Sequence, residues 1–301
     1  MGSEFIERAI DCFSIRFEDS SHDVMTTTGQ GLILGISEIR FGNEPTSFSG
    51  GVLYVHIDGD PTKFQVSEQS FGQTFVKSVA FSDMSSGLER IDAEPQEGTG
   101  ETVVVVMIDS NMPDSTLARA GITATEAITA AVQDLGMRYS STRPSGCRRQ
   151  HILTIRNGAS ILYLRNAGKH SKLGELIGTT VIESVKESAA ANGVDMTTRR
   201  SVVGMLSGYG CSQDDLQKLS GCPDPGTFLV KVITKDSEPE ALLAVSAVLH
   251  IYDNVVGGLF PEQEGLKAAQ NVLRAGLREP VGFGSILEIL FSTVAAYFMD
   301  P

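Results

Sequence analysis

Short runs of alternating or uniformly apolar residues fill the first 110 positions and predict strands. Residues 13–17 alternate between apolar and polar side chains, as in a half-buried strand. Residues 23–28, 36–41 and 51–57 are rich in β-forming residues and end at Gly, Asn or Asp. Residues 102–108 form an unbroken apolar run, which predicts a central strand buried on both faces.

Helical periodicity dominates after residue 120. A helix is predicted over 123–135, where Thr123 and Glu126 fit a capping box, and a long one over 173–191. Further helices are predicted over 199–206, 214–219, 238–252, 263–277 and 286–299.

Three further strands are predicted in this later part. Residues 151–155 and 160–164 flank Asn157-Gly158, which favours a hairpin, and 228–233 is a late β-branched run. The chain thus has a strand-rich region (10–110) and a helix-rich region (120–301) without a linker between them. The pattern predicts one α+β domain over 1–301, with a mixed or antiparallel sheet, packed helices and a helical C-terminal part.

Charge and cysteine content narrow the function classes. The 301 residues carry 24 Lys and Arg against 37 Asp and Glu, so the net charge is −13. This balance argues against nucleic acid and anionic membranes as partners. Four cysteines without a CxxC pair fit neither a zinc ribbon nor a disulfide framework, and they suggest a reducing cytoplasm. Residues 286–299 are shorter than the roughly 20 apolar residues that span a bilayer.

Several common catalytic motifs do not occur in the sequence. It has no GxxxxGK[ST] loop, no GxGxxG after a strand, no HExxH and no GxSxG. The five histidines are far apart along the chain, so a metal site would need the fold to gather them.

Residues 166–178 carry the clearest candidate chemistry. Lys169, His170 and Ser171 lie between a predicted strand and a predicted helix, beside amide groups that favour negative charge. His170 is a candidate general acid or base. The alternative is that Ser171 only caps the helix and His170 lies on the surface.

Two other segments have candidate reactive groups. Cys147 lies beside Arg148 and Arg149, which would favour a thiolate nucleophile; the alternative is a basic surface loop with an incidental cysteine. The hydroxyls of residues 26–28 precede Gly29-Gln-Gly31, where a ligand can approach the backbone closely; the alternative is an ordinary turn.

These segments occur in an order that resembles the adenosylcobinamide amidohydrolase family of corrinoid salvage. Residues 167–178 resemble its AGTHTxLGELIG segment, and residues 122–127 resemble a TATEAK helix start. Residues 24–32 with Asn43 are similar to an STxxxGGL…N segment. Residues 200–206, 249–253 and 258–261 resemble C-terminal segments of longer members, and the resemblance is strongest over 120–190.

The resemblance implies hydrolysis of the aminopropanol amide of adenosylcobinamide, which gives adenosylcobyric acid. The partner is then a corrinoid small molecule that brings its own cobalt, so no protein-bound cofactor or metal is required. A homo-oligomer is compatible with the sequence. The candidate catalytic residues are His170, Ser145, Cys147 and Thr27. The candidate substrate-binding residues are Asn43, Thr125, Glu126, Arg148, Arg149, Lys169, Ser171 and Glu175.

Two departures from the family pattern keep other functions open. Residues 145–150 read SGCRRQ where the pattern has TGTxTD, and Ile128 replaces a lysine. One alternative is a corrinoid-binding protein without catalysis, in which Arg148 and Arg149 hold an anionic group. The other is an amidohydrolase with a different amide substrate, for which alkylation of Cys147 would test a thiolate mechanism.

Overall fold

A computed structural model describes residues 4–8, 12–18, 21–84, 100–135, 149–194 and 200–301. Within it the chain divides into two units, Met1–Val194 and Asp195–Pro301. The architecture is mixed α+β with a helical C-terminal part, which confirms the predicted fold class. The single domain predicted over 1–301 stays a prediction.

The first unit contains two sheets. The five-stranded sheet has the order β1-β2-β5-β7-β6, and the six-stranded sheet has the order β4-β3-β11-β10-β9-β8. Their strands are β1 (Glu4–Arg8), β2 (Phe13–Phe17), β3 (His22–Thr26), β4 (Gly31–Ile36), β5 (Glu38–Gly42), β6 (Ser47–Ser49), β7 (Val52–His56), β8 (Gln65–Phe71), β9 (Thr74–Asp83), β10 (Glu101–Ile108) and β11 (Arg149–Asn157).

Strand β10 is the centre of the six-stranded sheet. It pairs parallel with β11 and antiparallel with β9, and all eight of its residues are buried. The predicted central strand is therefore confirmed. Val104 and Val106 pack in a core with the helices, whereas Val103 and Val105 pack in a second core with the five-stranded sheet. The unit thus has three layers: helices, six strands and five strands.

Two helices cover the outer face of the six-stranded sheet. Helix α2 (Lys172–Ala191) is confirmed, and Ser171 caps it by accepting a hydrogen bond from the amide of Gly174. Helix α1 (Asp114–Leu135) begins nine residues before the predicted start, so the predicted capping box at Thr123 is wrong. Thr123 lies inside the helix and is buried. The Thr123–Glu126 spacing resembled a helix start, but burial of Leu117 and Ala120 stabilises the turns that precede it.

The predicted hairpin around Asn157-Gly158 is wrong. Strand β11 runs over Arg149–Asn157, but 160–164 forms no strand and has only an isolated bridge between Asn111 and Tyr163. The reason is that β11 already pairs with β10 on one side and β3 on the other. No free edge is left for a returning strand, so the chain instead runs past α1 to the start of α2, and the carbonyls of Arg165 and Ala167 accept hydrogen bonds from α1.

The second unit is helical over its described residues, 200–301. Its helices are α3 (Val202–Ser207), α4 (Gln213–Ser220), α5 (Pro225–Lys235), α6 (Pro239–Val256), α7 (Glu262–Gly276) and α8 (Ile286–Met299). The predicted strand over 228–233 is therefore wrong. Asp224 caps α5, and Phe228 and Val232 are buried at helical spacing. Among the described residues, no helix has the length and apolarity to cross a membrane.

Candidate functional site

An open groove lies between α1 and α2, and we call it the helix groove. Its volume is about 470 Å³. Glu126, Lys169 and Glu175 from the predicted binding residues are among its lining residues. The others are Thr123, Ala127, Thr129, Gly174, Gly178, Thr179 and Ile182.

The groove owes its shape to the loop that precedes α2. Thr123 donates a hydrogen bond from its hydroxyl to the carbonyl of Ala167 at 2.7 Å, which holds the loop against α1. The hydroxyl of Ser171 donates to the carbonyl of Gly168 at 2.8 Å and accepts from the amide of Gly174 at 3.1 Å. A Cβ atom on Gly174 would lie 2.0 Å from the Gly168 oxygen, so only glycine lets the loop close on the helix.

Two exposed ion pairs lie along the groove. Lys169 Nζ is 3.3 Å from Glu126 Oε1, and Lys172 Nζ is 2.8 Å from Glu175 Oε1. Lys172 also lies 4.6 Å from the ring centroid of Phe71, as in a cation–π contact. Charges of both signs therefore alternate beside the amide groups at the start of α2.

His170 and Thr125 lie near this groove without contributing to its lining. His170 is exposed, and within the described part of the chain its ring has no hydrogen-bond partner. Thr125 is exposed and donates to the carbonyl of Gly121 in its own helix at 3.0 Å. The helix-cap interpretation of Ser171 is confirmed, and a catalytic role of His170 stays a prediction.

A second group of polar residues lies where β10 and β11 begin and β7 ends. We call it the sheet-edge centre, and it consists of His56, Asp58, Glu101, Arg149 and His151. Asp58 accepts from His56 Nε2 at 2.8 Å and contacts Arg149 Nη2. Its amide donates to Glu101 Oε2 at 3.0 Å, and Glu101 Oε1 is 3.8 Å from His151 Nε2. The fold has thus gathered two distant histidines beside two carboxyl groups.

Burial and partner charges shift several pKa values in the sheet-edge centre. The hydrogen bond from His56, together with Arg149, lowers the pKa of Asp58. Burial raises the pKa of Glu101, whose relative exposure is 1%. Burial also lowers the pKa of His151, and the nearby Arg149 adds to this effect. Perturbed values of this kind mark candidate functional groups.

The six-stranded sheet separates Arg149 from the helix groove. Arg149 is the register partner of Glu101, two residues before Val103, whose side chain packs toward the five-stranded sheet. Because side chains alternate along a strand, Arg149 lies on that same face, while the groove lies beyond the opposite face. The structure therefore does not bring Arg149 together with Lys169.

Thr27 and Asn43, two further predicted residues, do not line the groove. Thr27 follows β3, and its hydroxyl accepts from the amide of Ile152 at 2.9 Å. Asn43 is exposed directly after β5, whose neighbour β7 leads to the sheet-edge centre. Ser145, Cys147 and Arg148 lie outside the described residues. Among the residues that are described, no group of three or more His, Cys, Asp or Glu side chains has an arrangement that would hold a metal ion.

Comparison with protein families supports the resemblance inferred from the motifs. The family model for adenosylcobinamide amidohydrolase covers residues 68–195. These residues match that family. The predicted resemblance is confirmed over this range, which contains α1, α2 and most of β8 to β11.

Two individual proteins are also similar to parts of the chain. An uncharacterized protein of Methanocaldococcus jannaschii, MJ1613, is 33% identical over 98 residues, which are 31% of this chain and 37% of that relative. The chain therefore spans little more than a third of the curated relative it matches. The crystal structure of the PH0078 protein from Pyrococcus horikoshii OT3 aligns with 62% of this chain and 82% of its own at 8% identity and a TM-score of 0.36.

The structure gives one departure from the adenosylcobinamide amidohydrolase pattern a physical setting. Ile128, which replaces a lysine, is 3% exposed and packs in the core between the helices and the sheet. A lysine there would be a buried charge, which isoleucine avoids. The other departure, at 145–150, is described only for Arg149 and Gln150.

Four residues of the sheet-edge centre were not among the predicted site residues: His56, Asp58, Glu101 and His151. No local motif joins them, because they come from three separate segments of the chain. One signal was available in the sequence. Glu101 directly precedes the 102–108 run that was predicted to be buried on both faces, and a carboxyl group at the head of a buried strand is unusual.

Proposed function

We propose that this chain hydrolyses the amide that joins aminopropanol to the corrin ring of adenosylcobinamide, releasing adenosylcobyric acid and aminopropanol. The observation that carries the proposal is the family match over residues 68–195. That match indicates an amidohydrolase of corrinoid metabolism. The matched range contains the helix groove and three residues of the sheet-edge centre, so it includes polar groups suited to hydrolysis.

Amide hydrolysis needs an activated nucleophile, a proton donor for the leaving amine and donors for the oxyanion. His170 is the predicted acid or base, and the amides of Lys172 and Leu173 have no partner inside their helix. Thr27, Ser145 and Cys147 are the predicted nucleophiles, and an activated water molecule is the alternative. The cobalt arrives with the substrate.

The direct test is incubation of the full-length protein with adenosylcobinamide, followed by mass analysis of the corrinoid. We expect adenosylcobyric acid to accumulate with time and with protein concentration. Heat-denatured protein is the control for spontaneous hydrolysis. An intact substrate after incubation with folded protein would contradict the proposed reaction, and an unchanged turnover in His170→Ala would remove the role of His170.

A second candidate function is corrinoid binding without hydrolysis. The departure at 145–150 favours it, because a thiol, two arginines and an amide replace the hydroxyls and the acidic residue of the family pattern there. Equilibrium titration of cobinamide, followed by its visible absorption, would reveal binding when no product forms. The other alternative is an amidohydrolase with a different amide substrate. Hydrolysis of another amide, with loss of activity on alkylation of Cys147, would indicate that function.

The expected location is the cytoplasm. This proposal rests on the thiols of Cys12, Cys211 and Cys222, which form no disulfide bond among the described residues. Reaction of the native protein with a thiol reagent should label these cysteines in proportion to their exposure. Cys211, which is buried, should react most slowly.

A further inference from the structure

Glu101 has an unusual position for a carboxyl group. It is 1% exposed at the head of β10, and its Oε2 atom accepts a hydrogen bond from the amide of Asp58 at 3.0 Å. Among the described residues, its Oε1 atom has no hydrogen-bond partner, and neither has Nδ1 of His151. A buried polar group left without a partner costs about 1–3 kcal/mol, so the fold gains no stability from this arrangement.

The nearest charges do not neutralise Glu101. His56 and Asp58 face it from the end of β7, Asp83 is its register partner on β9, and Arg149 faces it from β11. Arg149 contacts Asp58, which already balances its charge. Among the described residues, the imidazole nitrogen beside Glu101 Oε1 is Nε2 of His151, which is 3.8 Å away.

This distance is too long for a direct hydrogen bond, so a water molecule that bonds to both atoms would satisfy the buried Oε1 atom of Glu101. The side chain of His151 is 24% exposed, so a substrate can approach the pair from its side.

We infer that Glu101 and His151 hold and activate the water molecule that attacks the amide. This inference rests on the proposed function and assigns its acid–base chemistry to the sheet-edge centre. Burial lowers the pKa of His151, which favours the neutral imidazole needed for a base.

The proposed step consumes one water molecule for each amide bond. The water oxygen forms a bond to the amide carbon while one water proton moves to His151 Nε2. The resulting imidazolium lies beside Glu101. The ionised carboxylate of Glu101 stabilises its positive charge. His151 then gives this proton to the amide nitrogen as the carbon–nitrogen bond breaks. The products are a carboxylic acid and an amine, and the pair returns to its starting state.

The test compares kcat and KM for adenosylcobinamide hydrolysis across pH in His151→Gln, Glu101→Gln and His170→Gln. Removal of a general base lowers rates by about 10²–10⁴-fold, so we expect at least a 100-fold loss of kcat in His151→Gln. Glu101→Gln should lose at least 10-fold in kcat and move the acidic limb of the profile to lower pH, because the imidazolium loses its neighbouring carboxylate. Controls are His250→Gln and Glu68→Gln, which lie outside both polar sites.

A larger loss of kcat in His170→Gln than in His151→Gln would overturn the inference. The inference would also be overturned if Glu101→Gln had the same kcat and the same acidic limb of the pH profile as the wild type. Thermal unfolding of each variant separates loss of chemistry from loss of fold. If a His151 variant does not fold, Glu101→Gln alone carries the test, because glutamine retains the shape and one hydrogen bond of glutamate.

A second readout does not depend on turnover. NMR titration of the His151 ring nitrogens should give a lower pKa in Glu101→Gln than in the wild type. If the wild type binds cobinamide but releases no product, the proposed function fails. In that case an unchanged His151 pKa in Glu101→Gln would also show that Glu101 and His151 do not interact. If product forms while the titration is unchanged, only the inference about the pair is overturned.

Discussion

The helix groove and the sheet-edge centre lie in the same unit but are built in different ways. The groove depends on backbone geometry: a loop closes on α2 through Ser171 and Gly174, and the charges beside it are exposed. The sheet-edge centre depends on side chains from separate strands, and Glu101 within it is buried without a full set of partners. The groove stabilises the fold, whereas the centre contains a group that costs stability.

The comparison shows why a motif and a site are different things. The residues around His170 form the strongest motif in the chain, yet the ring of His170 is exposed and the local hydrogen bonds serve the helix start. Burial and partner charges shift the pKa values of Asp58, Glu101 and His151, where no motif is visible. Burial, which changes proton affinity, is a property of the fold.

The largest expected effect concerns the close contact in the groove. Gly174→Ala places a Cβ atom 2.0 Å from the Gly168 oxygen, so the free energy of unfolding should fall by about 3 kcal/mol. The matched control is Gly178→Ala, one turn later on the same helix, where a Cβ atom meets nothing within 4 Å. This change should stabilise the protein by about 0.5–1 kcal/mol. Equal effects of the two substitutions in urea unfolding would contradict a groove built on backbone contact.

The next effect concerns the hydrogen bond that holds the loop to α1. Thr123→Val keeps the side-chain shape but removes the donor to the Ala167 carbonyl, which should cost about 1–2 kcal/mol of unfolding free energy. Thr125→Val is the control, because Thr125 is exposed and bonds within its own helix. Similar melting temperatures for the two variants would show that the Thr123 bond does not hold the loop.

A third prediction uses the pH dependence of the sheet-edge centre. The pKa of Glu101 in the folded protein is raised above the ordinary 4.5, so its contribution to stability is full below that pH and is lost as pH rises through the folded pKa. Glutamine does not ionise. Glu101→Gln should therefore be more stable than the wild type at pH 8, on the order of 1 kcal/mol, with the difference vanishing near pH 4.

Asp58→Asn should change the stability in the opposite direction to Glu101→Gln. The pKa of Asp58 is lowered in the fold by His56 and Arg149, so its stabilisation is present above the ordinary 3.8 and is lost as pH falls through the lowered value. Removal of its charge should destabilise the protein at pH 7. If Glu101→Gln and Asp58→Asn shift the melting temperature in the same direction at pH 8, the electrostatic description of the centre is wrong.

The smallest effect is expected for the exposed charges of the groove. Lys169→Gln removes an ion pair whose two side chains are 60% and 48% exposed, so the unfolding free energy should change by less than about 0.5 kcal/mol. A larger loss in low salt that persists in 1 M salt would show that Lys169 packs rather than pairs. Weaker cobinamide binding at unchanged stability would identify Lys169 as a binding residue.

The accuracy of the sequence predictions follows the range of the interactions involved. Strand β10 and helix α2 were predicted correctly because their signals are local. The signal of β10 is an unbroken run of apolar residues, and that of α2 is the helical spacing of its apolar residues. The strand over 160–164 was wrong because both sides of β11 are occupied, and the strand over 228–233 was wrong because tertiary burial of Phe228 and Val232 selects a helix. Glu126, Lys169 and Glu175, three of the candidate binding residues, line the groove, and their role in binding stays a prediction.

The amino-acid sequence by itself determined the α+β class, the long helix predicted over 173–191 and the resemblance to adenosylcobinamide amidohydrolases, because each depends on residues close together along the chain. Only the tertiary structure decided that Arg149 lies across the sheet from the groove and that Glu101 and His151 become neighbours. Strand pairing joins residues that are distant in sequence, and the burial it produces sets their proton affinities.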